Sequence, residues 1–236
     1  MKEKVKIAFQ GEMGAYSHLA ILEVFPDAEV KACPTFEATF KIANDNSDYR
    51  IVIPIENSLA GRVADIHYLI PKYKLQIYAE HFQKVTHNLL GIKGSSIKDI
   101  RTVRSHSQAI GQCQKIILDH KLKTIISADT AGSAKFISQK KNKSESAIAS
   151  DLAAKIYNLE ILKTNVEDEP GNVTRFLIMG KDSKHPEFGS KKYITSCIFK
   201  LKSIPAALYK ALGGFATNGV NLCKLESFAV KNTFDQ

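Results

Sequence analysis

Through its first 180 residues the chain alternates short apolar runs with amphipathic stretches, and this beat constrains the fold more than any other feature. Residues 5–9 form an apolar run that ends at Gly11-Glu-Met-Gly14, and a helical pattern follows over 17–25. Strand-like runs at 29–33 and 50–55 flank a helical pattern at 36–43, and residues 75–79 and 85–92 are again β-rich. A longer helical pattern covers 106–119, with Ile110, Cys113 and Ile117 at helical spacing. Strand, helix, strand and helix then succeed one another at 124–127, 131–138, 147–149 and 151–157, and strands at 159–163 and 173–179 close the series. Such interleaving predicts an α/β fold with substantial parallel pairing, because a parallel connection needs a crossover long enough to hold a helix.

Residues 181–192 (KDSKHPEFGSKK) break the rhythm with Pro, Gly, Ser and charge, and are expected to be a linker. Beyond them the pattern predicts a strand at 193–201, a helix at 206–217 and a strand at 220–230. A β-α-β unit of that size would leave a sheet edge and an apolar face uncovered. The C-terminal part is therefore expected to be incomplete, or to be completed by a partner chain.

Composition narrows the function classes. With 44% hydrophobic and 24% charged residues, the chain has the make-up of an ordinary globular protein, not a disordered one. The formal net charge is +9, yet only five of the 33 basic residues are arginine. Nucleic-acid readers favour arginine for its bidentate fork, so a scattered lysine surplus argues against a nucleic-acid partner. No run of about 18 apolar residues occurs, so no membrane partner is expected. The start, Met1-Lys-Glu-Lys, lacks the apolar stretch of a secretory signal, and a cytoplasmic location is expected. The four cysteines (Cys33, Cys113, Cys197, Cys223) form no C-x-x-C pair and read as reduced thiols. The histidines show no metal-ligand spacing, so no metal is expected.

Open α/β sheets bind ligands beyond the carboxyl ends of strands, where helix N-termini present free N–H groups. Polar residues cluster at several such junctions. In residues 11–17 two glycines allow close backbone approach, and Ser17 serves equally as a helix cap. Pro54-Ile-Glu-Asn-Ser58 places the amide of Asn57 and the hydroxyl of Ser58 after a very apolar strand. Ser105 and Gln108 have the S-x-x-Q spacing of a capping box, while Gln112 shares a helical face with Gln108. Asp129-Thr130-Ala-Gly-Ser133 repeats the pattern of a polar helix start. Asn172-Val-Thr-Arg-Phe176 enters the last apolar strand after the acidic turn Glu167-Asp-Glu-Pro-Gly171. There Thr174 offers a hydroxyl and Arg175 a fork for a carboxylate. Strand alternation sends these two side chains to opposite faces, so both reach one site only if the strand bends, which Gly171-Asn172 would permit.

Taken in order, these blocks resemble the prephenate dehydratase family. GEMGAYSHLA resembles its G-x-x-G-[TA]-[FY]-S-H-x-A motif, PIENSLAGRV its P-I-E-N-S-x-x-G-x-V, and HNLLG its H-x-L-x-G. SHSQAIGQC resembles S-H-x-Q-x-x-x-Q-C, DTAGSA and AIAS the next two blocks, and NVTRFLIMG the N-x-T-R-F signature. The resemblance implies an α/β, two-lobed catalytic domain similar to type 2 periplasmic binding proteins over residues 1–180. Its first lobe would take in about 1–80 and 155–180, and its second about 81–154. An incomplete α+β, ferredoxin-like ACT domain would follow over 193–236.

On the same resemblance the activity is the decarboxylating dehydration of prephenate to phenylpyruvate in L-phenylalanine biosynthesis, without cofactor. Thr174 is implied as the catalytic residue, and Asn57, Ser58, Ser105, Gln108, Gln112, Thr130, Arg175 and Phe176 as substrate-binding. The family's P-G-A-L reads Pro205-Ala-Ala-Leu208 here, and its E-S-R-P reads Glu226-Ser-Phe-Ala229. Ala206, Leu208, Glu226 and Ser227 are thus the positions implied for the effector L-phenylalanine, and a homodimer or homotetramer is implied for the full-length protein. Two other readings stand beside this one: arogenate dehydratase, and a non-catalytic sensor of amino acids or carboxylates.

Overall fold

The computed structural model describes residues 4–181 and 193–227, in two compact units, Met1–Lys184 and His185–Gln236. The first unit holds two lobes, each built on its own sheet. In chain order, β1 (Lys6–Gln10), α1 (Tyr16–Val24), β2 (Glu29–Cys33), α2 (Phe36–Asp45), β3 (Tyr49–Asn57), β4 (Gly61–Arg62), α3 (Ala64–Tyr73) and β5 (Gln76–Lys84) belong to the first lobe. The second lobe contains β6 (Asn88–Ile92), β7 (Thr102–His106), α4 (Ser107–Gly111), α5 (Gln114–Asp119), β8 (Lys123–Ser127) and α6 (Thr130–Lys140). It is completed by β9 (Glu145–Ala149), α7 (Asp151–Ile156) and β10 (Leu159–Lys163), and β11 (Val173–Gly180) then returns to the first sheet.

The first sheet runs β2-β1-β3-β11-β5, with β4 paired to β3. Its β1 pairs are parallel, whereas β11 runs antiparallel to both β3 and β5. The second sheet runs β10-β6-β9-β7-β8, with β7 parallel to both β8 and β9. Helices cover both faces of each sheet, which is why the central strands read as unbroken apolar runs. On one face of the first sheet, Phe40, Ile66 and Leu69 of α2 and α3 pack on Ile51, Ile53 and Leu177. On the other, Ala20 and Ile21 of α1 pack on Ile7, Phe9, Val52, Phe176 and Ile178. The second sheet is filled by Ile110, Cys113, Ile116 and Ile117 from α4–α5 on one side and by Ala131, Ala134, Ile137 and Ala153 from α6 and α7 on the other.

Four local expectations are revised. The helix expected over 106–119 is two short helices. Asp168 accepts from the N–H groups of Gln114 (2.7 Å) and Lys115 (2.9 Å), and so caps a second helix in place of the bonds that would continue the first. Helix α3 was not foreseen: Ile66, Leu69, Ile70 and Tyr73 have helical spacing, but Pro71 within it reads as a breaker. The lobe boundary expected near residue 155 falls after Lys163, because β10 pairs with β6 in the second sheet. Ser17 caps nothing; the N-cap of α1 is Ala15, and Ser17 is buried in the first turn.

In the second unit, α8 (Ala207–Thr217) is helical as expected. Residues 193–201 and 220–227 form no strand, since an extended segment becomes one only when another pairs with it, and none does among the described residues. Of the linker expected at 181–192 only Lys181 is described, its Nζ donating to Asn44 O at 2.7 Å; the rest of it and the end of the last expected strand, 228–230, lie outside the described residues. No described helix is long and apolar enough to cross a membrane.

Candidate functional site

The site grows from the pairing of β3 with β11. Their register sets Thr174 opposite Asn57, two residues 117 positions apart in sequence. Asn57 ends β3, and its Oδ1 accepts from the backbone N–H groups of Leu59 (3.0 Å) and Ala60 (2.9 Å) as the chain turns into β4. With its oxygen committed to that turn, the amide nitrogen must face the other way. It donates to Thr174 Oγ1 at 2.9 Å and to Asn172 Oδ1 at 2.6 Å. Asn172 in turn donates from Nδ2 to Gln112 Oε1 at 2.9 Å. Each amide orientation follows from the one before it, so the relay has a single direction that begins at the Leu59 and Ala60 N–H groups.

This direction has a chemical consequence. Thr174 Oγ1 already accepts a hydrogen bond, so its own hydrogen remains available to a ligand, and the accepted bond polarises that O–H and strengthens it as a donor. The site is therefore a neutral cluster of amides around one donor hydroxyl, held by both lobes: Asn57 and Thr174 come from the first sheet, Gln112 from the end of α4.

Other contacts tie the lobes at the same place. The loop after β1 reaches the second lobe, with Ser150 Oγ donating to Gly14 O (2.6 Å) and Tyr157 OH to Met13 O (2.8 Å). Burial, with help from Glu12 and Asp129, pushes the Tyr157 hydroxyl up to about 12, so it stays a donor throughout the physiological range. Lys135 of α6 pairs with Glu12 at 2.9 Å. Gly14 has φ +91°, and a Cβ there would lie 2.7 Å from Ala153 Cα, so only glycine allows the loop to sit this close.

The remaining expected site residues are distributed as follows. Ser58 Oγ accepts from Val173 N–H at 2.9 Å, extending the β3–β11 ladder beside Asn57. Arg175 points away from Thr174 and binds Glu80 through Nε and a terminal nitrogen, each 2.7 Å from Oε2. The expected bend lies on the partner strand: Ile55 of β3 is the extra residue where the register slips, and β11 keeps alternating. Phe176 is buried against α1 as part of the core, not open to a ligand. Ser105 lies within β7, fully buried, and donates to Ile148 O at 2.7 Å; the capping box is not formed, and the His106 ring accepts from Gln108 N–H instead. The Gln108 side chain is exposed, and Thr130 is the half-buried first residue of α6, whose cap is Asp129.

Three participants were not singled out from sequence: Tyr16, His87 and Asn172. Tyr16 OH lies 2.6 Å from Thr86 O and 2.8 Å from His87 Nδ1, and His87 Nε2 lies 3.0 Å from Gln112 Oε1. The signal was present, since each falls inside a block already quoted (GEMGAYSHLA, HNLLG and NVTRFLIMG). Among the described residues no group of three His, Cys, Asp or Glu side chains is placed to hold a metal ion.

In the second unit Ala206 precedes α8 with φ +63°, a left-handed conformation at the position where the family motif has glycine. Leu208 is largely exposed, Glu226 pairs with Lys224 at 3.1 Å, and Ser227 is the last residue described.

Fold and site together define a two-lobed α/β protein in which a relay of amides drawn from both lobes ends on one threonine hydroxyl. Comparison with known proteins identifies the lineage. Residues 7–184 match the family model of prephenate dehydratase. The chain is 42% identical, over 97% of its length and 81% of the relative's, to a bifunctional N-acyl-homoserine lactone acylase/prephenate dehydratase of Komagataeibacter europaeus. It is 40% identical to arogenate dehydratase/prephenate dehydratase 1 of Arabidopsis thaliana, matching 95% of this chain but only 57% of the plant protein. A prephenate dehydratase from Arthrobacter aurescens, solved in complex with L-Phe, superposes with a TM-score of 0.83 at 25% identity, covering 98% of this chain and 77% of that one. The chain belongs to the prephenate dehydratase family.

Proposed function

We propose that this protein converts prephenate to phenylpyruvate, with Thr174 as the catalytic residue. Prephenate is a dianion whose ring becomes aromatic when the ring carboxylate leaves as CO2. The electron pair of the broken C–C bond enters the ring, the C–O bond of the ring hydroxyl breaks, and the oxygen departs with the bonding pair as hydroxide, which takes its proton from solvent. What the reaction needs from the protein is a donor aimed at that oxygen in a water-poor cleft. The observation that carries the proposal is the 2.9 Å bond from Asn57 Nδ2 to Thr174 Oγ1, which leaves the threonine hydrogen free for this task. A threonine hydroxyl is too weak an acid to titrate near neutral pH, so it acts by hydrogen bonding as negative charge grows on the oxygen.

Thr174→Val keeps the shape and removes the donor. It is expected to lower kcat for phenylpyruvate formation about 100- to 1000-fold, while Thr174→Ser retains most of the rate. Near-wild-type turnover by the valine variant would remove Thr174 from the mechanism. Arogenate undergoes the same bond changes, and parallel turnover of the two substrates separates the readings. Binding of either without CO2 release would favour the sensor reading. A further reading, acylase action on N-acyl-homoserine lactones, is favoured by the 42% identity to the bifunctional relative, and release of free homoserine lactone tests it. L-phenylalanine is the proposed effector of the second unit, supported by the L-Phe complex of the Arthrobacter protein and tested by its effect on turnover.

A further inference from the structure

His87 lies where the two chain crossings between the lobes run side by side. Val85 N–H donates to Asn172 O (2.8 Å), Val166 N–H to His87 O (2.8 Å), and His87 N–H to a Glu167 carboxylate oxygen (2.9 Å). The same strap holds Gln112, whose carbonyl accepts from Asp168 N–H at 2.7 Å. The His87 side chain, in a residue only 3% exposed, hydrogen-bonds to Tyr16 and Gln112 and not to Asn57 or Thr174.

Its hydrogens can nevertheless be deduced. The relay that starts at the Leu59 and Ala60 N–H groups delivers Asn172 Nδ2 to Gln112 Oε1. The atom of Gln112 that faces His87 Nε2 is that same oxygen, an acceptor only. Nε2 must therefore carry a hydrogen. The alternative tautomer puts a lone pair at Nε2 against a lone pair at Oε1. Relieving that would turn Gln112, then Asn172, then Asn57, and would set the Asn57 amide hydrogens against the Leu59 and Ala60 N–H groups. In the Nε2–H form, Nδ1 is an acceptor, and Tyr16 shares its one hydrogen between Nδ1 and Thr86 O.

We propose that His87 is a positioning residue for Thr174: its Nε2–H anchors Gln112 Oε1 at the far end of the relay whose direction the Leu59 and Ala60 N–H groups set, and so keeps Asn172 and Asn57 in place behind the Thr174 hydroxyl. The role rests on the reading of Thr174 as donor to the departing oxygen. It works through geometry, since losing Nε2–H removes one of the two donors that hold Gln112 Oε1 in position.

The test has two readouts on the full chain. Long-range 1H–15N correlation on histidine-labelled protein, with the signal assigned by its loss in His87→Gln, reads the tautomer without any turnover. An Nε2–H ring is expected, and an Nδ1–H tautomer overturns the proposal whether or not the protein is active. The second readout is kinetic. His87→Leu is expected to lower kcat about two- to fivefold, no more than loss of the Asn57 side chain itself, with KM changed by less than about 1.5-fold. His87→Gln, which restores a donor near the Nε2 position, is expected to recover most of that loss. A leucine variant with wild-type kcat, or a glutamine variant no better than leucine, overturns the positioning role. Absence of wild-type turnover with prephenate would instead sink the proposed reaction and leave the tautomer result standing on its own.

Discussion

Replacing Asn57 by aspartate changes almost no volume, yet it should be among the most damaging substitutions in the protein. The new carboxylate would keep an oxygen for the Leu59 and Ala60 N–H groups, so the turn into β4 should survive. Its second oxygen would replace the Nδ2 that now donates to Thr174 Oγ1 at 2.9 Å and to Asn172 Oδ1 at 2.6 Å. A carboxylate there can only accept. The Thr174 hydroxyl would then donate to it, and the hydrogen meant for the departing oxygen would be consumed. Losing one donor aimed at developing negative charge costs about 2.7–4 kcal/mol of transition-state stabilisation, or about 100- to 1000-fold in kcat. Asn57→Ala, by contrast, removes a neutral hydrogen bond worth about 1 kcal/mol but leaves the threonine hydrogen free, which predicts a loss of about fivefold. The isosteric variant should thus be slower than the truncated one by an order of magnitude or more. Steady-state phenylpyruvate formation, alongside thermal melts showing that both variants fold, makes the comparison. If Asn57→Asp turns over as fast as Asn57→Ala, or faster, the direction assigned to the relay is wrong.

Three further outcomes are expected. Gly14→Ala combines a left-handed φ with a 2.7 Å clash against Ala153 Cα and should destabilise the first unit by about 2–4 kcal/mol, read from the urea midpoint. Ala206→Gly relieves a φ of +63° and should stabilise α8 by about 0.5–1 kcal/mol, seen as slower hydrogen exchange at Lys210 N–H, which donates to Ala206 O; unchanged exchange would argue against strain there. Burial lowers the ring pKa of both His18 and His87, and His18 Nδ1 already accepts from Gly14 N–H at 3.1 Å. The unfolded chain therefore binds more protons than the folded one as pH falls below about 6.5, and stability should decline, by at most about 1.4 kcal/mol per pH unit per histidine. A urea midpoint that is flat between about pH 7.5 and 5.5 would contradict this.

Much of the architecture could be read from local pattern. The apolar runs at β1, β2, β3, β10 and β11 and the helical stretches at α1, α2, α6 and α8 lie close to where periodicity puts them, because side-chain period is a property of neighbouring residues. Local pattern failed where a distant group intervened. Asp168 split the 106–119 helix by capping its second half, and Pro71 disguised a helix that packing on Phe40 sustains.

For the site the division is sharper. The blocks around Asn57, Gln112 and Thr174 were visible as motifs, and so was the rule that Thr174 and Arg175 should face opposite ways. Which of the two meets Asn57, and that Arg175 meets Glu80, depended on the register of β11 between β3 and β5. That Ser105 is fully buried against Ile148 O, not capping a helix, depended on β7 lying beside β9. Local sequence sets the chemical types available and the spacing at which each strand and helix presents them. Which amide faces which, and hence which hydrogen is left over, follows from the packing of the two sheets in space. Hydrogen-bond direction passes from one group to the next through space, and here it runs from the turn after β3 to Thr174, across residues 117 positions apart.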